Sequence, residues 1–211
     1  HYIFMATANG TVKKTFLTEF SRPRSVGLRA LELDEGDVLV GTAITNGKND
    51  IMLFASNGKA VRFEEEDVRA MGRTARGVRG IRLADDARMI ALIVPAEGGK
   101  ILTVSQNGYG KRTESDEFPT KGRGTQGVIA MQTSERNGSL VGAVQVFDGD
   151  QLMLISDQGT LVRTRTDEIS VLSRNTQGVR VIRLKEDENL VGVERIAETE
   201  EGDDAEPGID E

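Results

Sequence analysis

A fourfold internal repeat constrains this chain more than any other feature of its sequence. Arg69 to Leu83 reads RAMGRTARGVRGIRL, an arginine, a short polar link, a glycine and an apolar run. The same order returns in Arg22 to Leu33 (RPRSVGLRALEL), Lys121 to Thr133 (KGRGTQGVIAMQT) and Arg174 to Leu184 (RNTQGVRVIRL). A turn glycine sets the register at Gly10, Gly58, Gly108 and Gly159, with spacings of 48, 50 and 51 residues. Self-similarity at such a period marks a propeller, solenoid or array, whose units cannot bury their apolar faces alone. One continuous all-β array therefore accounts for 211 residues better than two unrelated domains. The repeats fall at about 1–48, 49–98, 99–149 and 150–196.

Each repeat opens on an apolar run: Ile3 to Met5, Ile51 to Phe54, Ile101 to Val104 and Leu152 to Ile155. Runs this continuous suit strands covered on both faces, and they are expected as the inner strands. The turns that follow are Asn9-Gly10, Asn57-Gly58, Asn107-Gly108 and Gln158-Gly159. Asn-Gly is a strong hairpin signal because a type I′ turn needs positive φ at both central residues. Four hairpins are expected, each returning through Thr11 to Phe16, Lys59 to Phe63, Tyr109 to Thr113 or Thr160 to Thr164. A loop without periodicity leads to the arginine motif. The motif's apolar run and a further strand (Val38 to Ile44, Met89 to Val94, Leu140 to Val146, Leu190 to Ile196) bring each repeat to four strands, a propeller-type blade.

Basic residues follow the same register. Four residues after the turn glycine stand Lys14, Arg62, Arg112 and Arg163, with a second base nearby in Lys13, Lys111 and Arg165. Matching positions in matching blades face the same way, so these side chains are expected in one row. The motifs add Arg22, Arg24, Arg73, Arg76, Arg79, Lys121, Arg123, Arg174 and Arg180. One exposed arginine is ordinarily just a solvated face. A base repeated on every blade instead forms a curved positive track that can take phosphates one after another, without a base code.

The formal net charge of −7 hides this track. Residues 197–211, AETEEGDDAEPGIDE, hold eight acidic residues and no basic one, and the remainder carries 26 acidic against 27 basic. A segment so charged, and without aromatic residues, cannot offset its ordering entropy by burial, and it is expected to be a disordered acidic tail. As such it either solubilises the chain or competes with a polyanion for the basic rim.

Other chemistry is poorly provided for. There is no cysteine, and the single histidine is His1, which leaves no disulfide framework, thiolate metal site or histidine-based triad. No apolar stretch approaches the ~20 residues of a membrane span, and no signal-peptide pattern opens the chain. A soluble cytoplasmic protein is the default expectation. Asp85-Asp86 and Asp148-Gly149-Asp150 offer too few oxygens for calcium and fit turn chemistry instead. Gly72 to Gly80 follows no nucleotide-binding pattern. Aromatic residues make up only 4% of the chain, which disfavours stacking on single-stranded nucleic acid.

Several segments closely resemble the C-terminal domain of the bacterial DNA gyrase A subunit: IFMATANGTVKKT, SRPRS, VRAMGRTARGVRGIRL, ILTVSQNGYGKRT and LVRTRTDEISVLSRNTQGVRVIRL. The resemblance spans residues 1–196; the topoisomerase IV equivalent fits these runs less well. It implies a β-pinwheel, a propeller-like disc whose neighbouring blades exchange a strand, with a basic rim that wraps duplex DNA and directs negative supercoiling. The partners it implies are double-stranded DNA and, within the gyrase holoenzyme, the remainder of the A polypeptide together with the B polypeptide. ATP and Mg belong to the whole enzyme, with no cofactor in this domain and no catalytic residue in this chain. Strand cleavage in this class uses a tyrosine set among arginine and acidic residues elsewhere in the enzyme; Tyr2 and Tyr109 lack such a motif and are expected to be structural. The chain departs from the family in two respects. The glutamine-arginine-glycine box is absent, with Lys121 to Gly127 at most a degenerate echo, and four repeats stand where the family disc has six. A fragment lacking two leading blades is the expected reading and a closed four-bladed ring the alternative. A propeller scaffold binding protein partners through its face loops is the competing functional class.

Overall fold

The apolar runs become the second strand of each blade, with a strand paired on both of their edges and a neighbouring blade packed on one or both faces. In the computed structural model, which describes residues 1–198, these strands are β1 (Tyr2–Thr7), β4 (Asp50–Ala55), β8 (Lys100–Ser105) and β12 (Gln151–Ser156). Phe4, Leu53, Leu102 and Leu154 at their centres are fully buried. The return strands are β2 (Thr11–Phe16), β5 (Lys59–Glu64), β9 (Tyr109–Glu114) and β13 (Leu161–Arg165). The last strand of each repeat, β3 (Leu39–Thr45), β7 (Met89–Ile93), β11 (Leu140–Val146) or β15 (Leu190–Ile196), pairs antiparallel to the other side of the apolar strand. β3 packs on β7, β7 on β11 and β11 on β15, so these strands, and not the apolar runs, line the axis.

The four turns are hairpins, but not of type I′. Among the described residues none other than glycine has positive φ, and the closing hydrogen bonds run from Gly10 N to Thr7 O, Gly58 N to Ala55 O, Gly108 N to Ser105 O and Gly159 N to Ser156 O. Each turn thus closes on its glycine, with Ala8 and Asn9 as the central pair in the first, and only the glycine enters the left-handed region. This is the three-residue loop with a glycine bulge. Asn-Gly marks both loop types equally, so the dipeptide alone could not separate them.

The third strand of repeats two, three and four leaves its own blade, whereas the first motif, expected to supply a strand as well, forms none. β6 (Val78–Arg79), from the second motif, pairs with β2 of the first blade; β10 (Val128–Ile129) pairs with β5, and β14 (Val179–Arg180) with β9. The sheet orders are β3-β1-β2-β6, β10-β5-β4-β7, β11-β8-β9-β14 and, in the last blade, only β13-β12-β15. The loop before each motif carries out this exchange. After a short 3-10 turn it runs beside the preceding blade, where Met71 N donates to Lys14 O, Lys121 N to Arg62 O and Leu172 N to Arg112 O at 2.8, 2.8 and 2.9 Å.

The motif glycine has a steric cause in this exchange. Gly77, Gly127 and Gly178 have φ of +107°, +82° and +78°, and a Cβ on them would lie less than 3.0 Å from Val12 O, Ala60 O and Gly110 O respectively. No other residue lets the donated strand approach so closely. Gly27 meets nothing within 4 Å, because among the described residues no blade receives the first motif's segment.

Three hydrophobic cores lie between successive blades, built around Phe4, Leu53 and Phe63; around Met52, Phe54 and Phe118; and around Leu102, Leu154 and Ile182. Four blades in an open arc have three such interfaces, whereas a closed ring would have four. The ends of the arc accordingly leave Ile44 65%, Leu161 61% and Val191 52% exposed. The closed four-bladed ring is thereby excluded for the described residues. Of the acidic tail expected over 197–211, residues 199–211 lie outside those described.

Candidate nucleic-acid interface

The donated strands form the outermost strand of three sheets, so their solvent-facing positions define the rim. Two and five residues after the motif glycine stand Arg79 and Arg82 in the second repeat and Arg180 and Arg183 in the fourth, all exposed. Between them Ile81 and Ile182 turn inward and are buried. Arg29 holds the first of these positions in repeat one and is exposed. Arg29, Arg82 and Arg183 add to the bases that the sequence marks as candidates. Their signal is the alternation of arginine with a buried isoleucine, which the glycine-led apolar run conceals.

The motif arginines bind the rim together. Arg73 Nη1 donates to Arg29 O at 3.2 Å, Arg123 Nη1 to Arg79 O at 3.0 Å and Arg174 Nη1 to Ile129 O at 2.8 Å. Each acceptor lies two residues after the preceding motif's glycine, so every motif arginine grips the motif before it. Arg123 Nε also bonds Asp67 O, and Arg174 Nε bonds Glu117 O, on the 3-10 turns. Arg123 stays exposed, whereas Arg73 and Arg174 are half-buried. Backbone bonds from Arg82 N to Thr125 O and Gln132 N to Thr176 O continue the seam.

Four of the candidate bases do not face solvent. Lys13 and Lys111 have no exposed surface, and Lys14 and Arg112 are 5% and 9% exposed. A buried ammonium must be satisfied by acceptors. Lys13 Nζ donates to Ala30 O and Arg73 O, both at 2.6 Å. Lys111 Nζ donates to the carbonyls of Ser173, Arg174 and Thr176 and to the Thr176 hydroxyl. Both lysines therefore hold the motif loop of the next repeat in place. Burial lowers the pKa of each, to about 8 for Lys111; nearby Glu19 or Glu117 opposes the shift, and nearby Arg73 or Arg174 adds to it.

The row four residues after the turn glycine exists, but it points at the neighbouring blade. Lys14 Nζ reaches Glu65 O at 3.1 Å, Arg62 Nη1 reaches Ser115 O at 2.7 Å and Arg112 Nε reaches Ile169 O at 2.8 Å. Arg163, with no blade beyond it among the described residues, is exposed and bonds Gln151 Oε1 of its own blade. A repeated cation looks the same in sequence whether it meets phosphate or a carbonyl one blade away, and here geometry decides.

Of the remaining candidates, Arg22, Arg24, Arg76, Arg79, Lys121, Arg165 and Arg180 are exposed. Arg76 is partly neutralised by Asp34 at 2.6 Å and Glu32 at 3.2 Å. Asp150 accepts from Phe147 N, Arg195 and Glu198 N and so closes a turn, as its place beside Gly149 suggests. No helix among the described residues is long and apolar enough to cross a membrane.

Four-stranded blades, strands exchanged between neighbours and a rim of repeated arginines define a β-pinwheel of the type II topoisomerase kind. The DNA gyrase C-terminal domain (beta-propeller) family matches residues 1–46, 49–96, 99–146 and 150–197, one blade at a time. The chain belongs to this family. The DNA gyrase A subunit of Salmonella typhimurium is 64% identical over 93% of the chain, which spans only 22% of that relative's length. Among solved structures, a DNA gyrase A C-terminal domain superposes with a TM-score of 0.83 at 26% identity, over 93% of this chain and 66% of the other. The C-terminal domain of DNA topoisomerase IV superposes with a TM-score of 0.86 at 26% identity, over 92% and 61%.

Proposed function

We propose that this chain binds duplex DNA non-specifically along its outer rim and wraps it with a fixed hand, as the C-terminal part of the gyrase A polypeptide that directs negative supercoiling. The observation that carries the reading is the exposed series Arg29, Arg79, Arg82, Arg180 and Arg183 on the first, second and fourth motif segments, the third having Ile129 and Gln132 at the matching positions. Their spacing follows the blades, and the motif arginines lock those segments into one seam. Contacts of this kind neutralise phosphates and carry no base code, and bending the duplex around an arc favours deformable sequence. The topoisomerase IV equivalent remains the alternative within the fold, and the identity to gyrase A relatives favours gyrase. In the whole protein the partners are the remainder of the A polypeptide and the B polypeptide, in the cytoplasm, with ATP and Mg used outside this domain.

Duplex affinity measured against salt tests the reading. With ~6 phosphates neutralised, log affinity falls against log salt with a slope near −5. A slope near zero contradicts electrostatic wrapping.

A further inference from the structure

The third blade holds a cationic feature that none of the other repeats has. Tyr109, the first residue of β9, is 5% exposed, and its ring lies under two guanidinium groups, Arg136 at 5.3 Å and Arg180 at 5.5 Å from the ring centroid. Both also donate to its hydroxyl oxygen, Arg136 through Nε and Arg180 through Nη2, at 3.2 Å each. One arginine comes from the turn before β11 and the other from β14, donated by the next repeat, so blade exchange assembles the group. They open onto a cavity of about 270 Å³ that Lys185 also lines.

Two like charges held on one phenol favour a counter-anion, and among the described residues no carboxylate pairs with either of them. Glu186 and Glu188 also line the cavity, but Glu188 is engaged by the Ser156 and Thr160 hydroxyls and by Lys185 N. The matching cavity of the first blade is built the other way. Thr11 replaces the tyrosine there, and Glu32 and Asp34 pair with Arg76.

We propose that Tyr109, Arg136 and Arg180 form a clamp for a single phosphate group, which takes one backbone phosphate of the duplex on the rim. The proposal rests on the DNA-binding reading above and gives Tyr109 a positioning role. The ring holds the two planar guanidinium groups together at the cavity wall, and groups of this shape can recognise a phosphate in bidentate fashion.

Tyr2 and Tyr109 are the only tyrosines, so in a Tyr2→Phe protein the phenolate absorbance reports Tyr109 alone. Its titration midpoint is measured without ligand, with a short duplex at low salt, and with inorganic phosphate. The two arginines hold the phenol below its ordinary value, so a bound phosphate group that neutralises them raises the midpoint, and Arg136→Gln removes that response. At neutral pH, Arg136→Gln also weakens duplex binding several-fold and makes the salt slope shallower by about one. Duplex bound with the midpoint unmoved overturns the clamp and leaves the wrapping reading standing. A response to phosphate but not to duplex reports an adventitious ion only and overturns it too. Absence of duplex binding at any salt overturns both.

Discussion

Arg62 on β5 donates through Nη1 to the carbonyl oxygen of Ser115, 2.7 Å away on the 3-10 turn of the next blade. Its Nε meets Asp50 of its own blade at 2.8 Å. The side chain thus bridges two sheets whose apolar interface is centred on Phe54 and Phe118. Arg62→Ala strips a carbonyl and a carboxylate of their partner and is expected to cost about 1–3 kcal/mol. Arg163→Ala, at the matching position with no blade to reach among the described residues, should stay within ~0.5 kcal/mol of wild type. Urea unfolding of the two variants checks this, and equal losses would remove the inter-blade strut.

The motif glycines are expected to divide in the same way. Gly127→Ala forces a methyl group onto Ala60 O and holds alanine at positive φ, where Gly27→Ala meets only the backbone penalty. The expected losses are roughly 2–4 kcal/mol or failure to fold for the first, against ~1–2 kcal/mol for the second. Thermal unfolding separates them.

Lys111 makes stability depend on alkaline pH. Burial brings its folded pKa down to about 8 from the ordinary 10.5. Between those values the unfolded chain holds a proton that the folded chain has released, so stability rises with pH across that window and the gain is lost as pH falls through 8. A Lys111→Met protein has no such proton. The stability difference between wild type and this variant should therefore shift in favour of wild type from pH 8 towards 10. Denaturant midpoints at several pH values show whether it does, and a flat difference would contradict a neutralised lysine.

Charge reversal at Arg82 and Arg183 should weaken duplex binding and make the salt slope shallower by about two. Both side chains are exposed, so folding should be unaffected within ~0.5 kcal/mol. An unchanged slope would place the DNA path away from the donated strands.

The blade count, the hairpin positions and the limits of the other three strands in each repeat are legible in the sequence because each rests on local chemistry, an apolar run, a turn glycine or a change of period. The third strand expected over each motif's apolar run is instead only two residues long in three repeats and absent in the first. The repeat also marks Gly77, Gly127 and Gly178 as special. It does not show that they are needed because a neighbour's backbone passes within van der Waals distance, since that contact spans more than sixty residues of chain for Gly77 and Val12. The basic row is legible as a row and not as an orientation. Lys14, Arg62 and Arg112 face carbonyls fifty or more residues away, and nothing within one repeat distinguishes that from a phosphate. Tyr109 has no motif around it in sequence; Arg136 and Arg180 reach it only through the fold.

Ligation of a nicked circle with increasing amounts of the bound chain, followed by removal of the protein and measurement of the linking number, tests chiral wrapping most directly. Wrapping of a fixed hand predicts a shift towards positive supercoils that grows with bound protein and disappears at high salt. Salt-sensitive binding with no change in linking number would contradict it, showing a rim that holds DNA without setting its path.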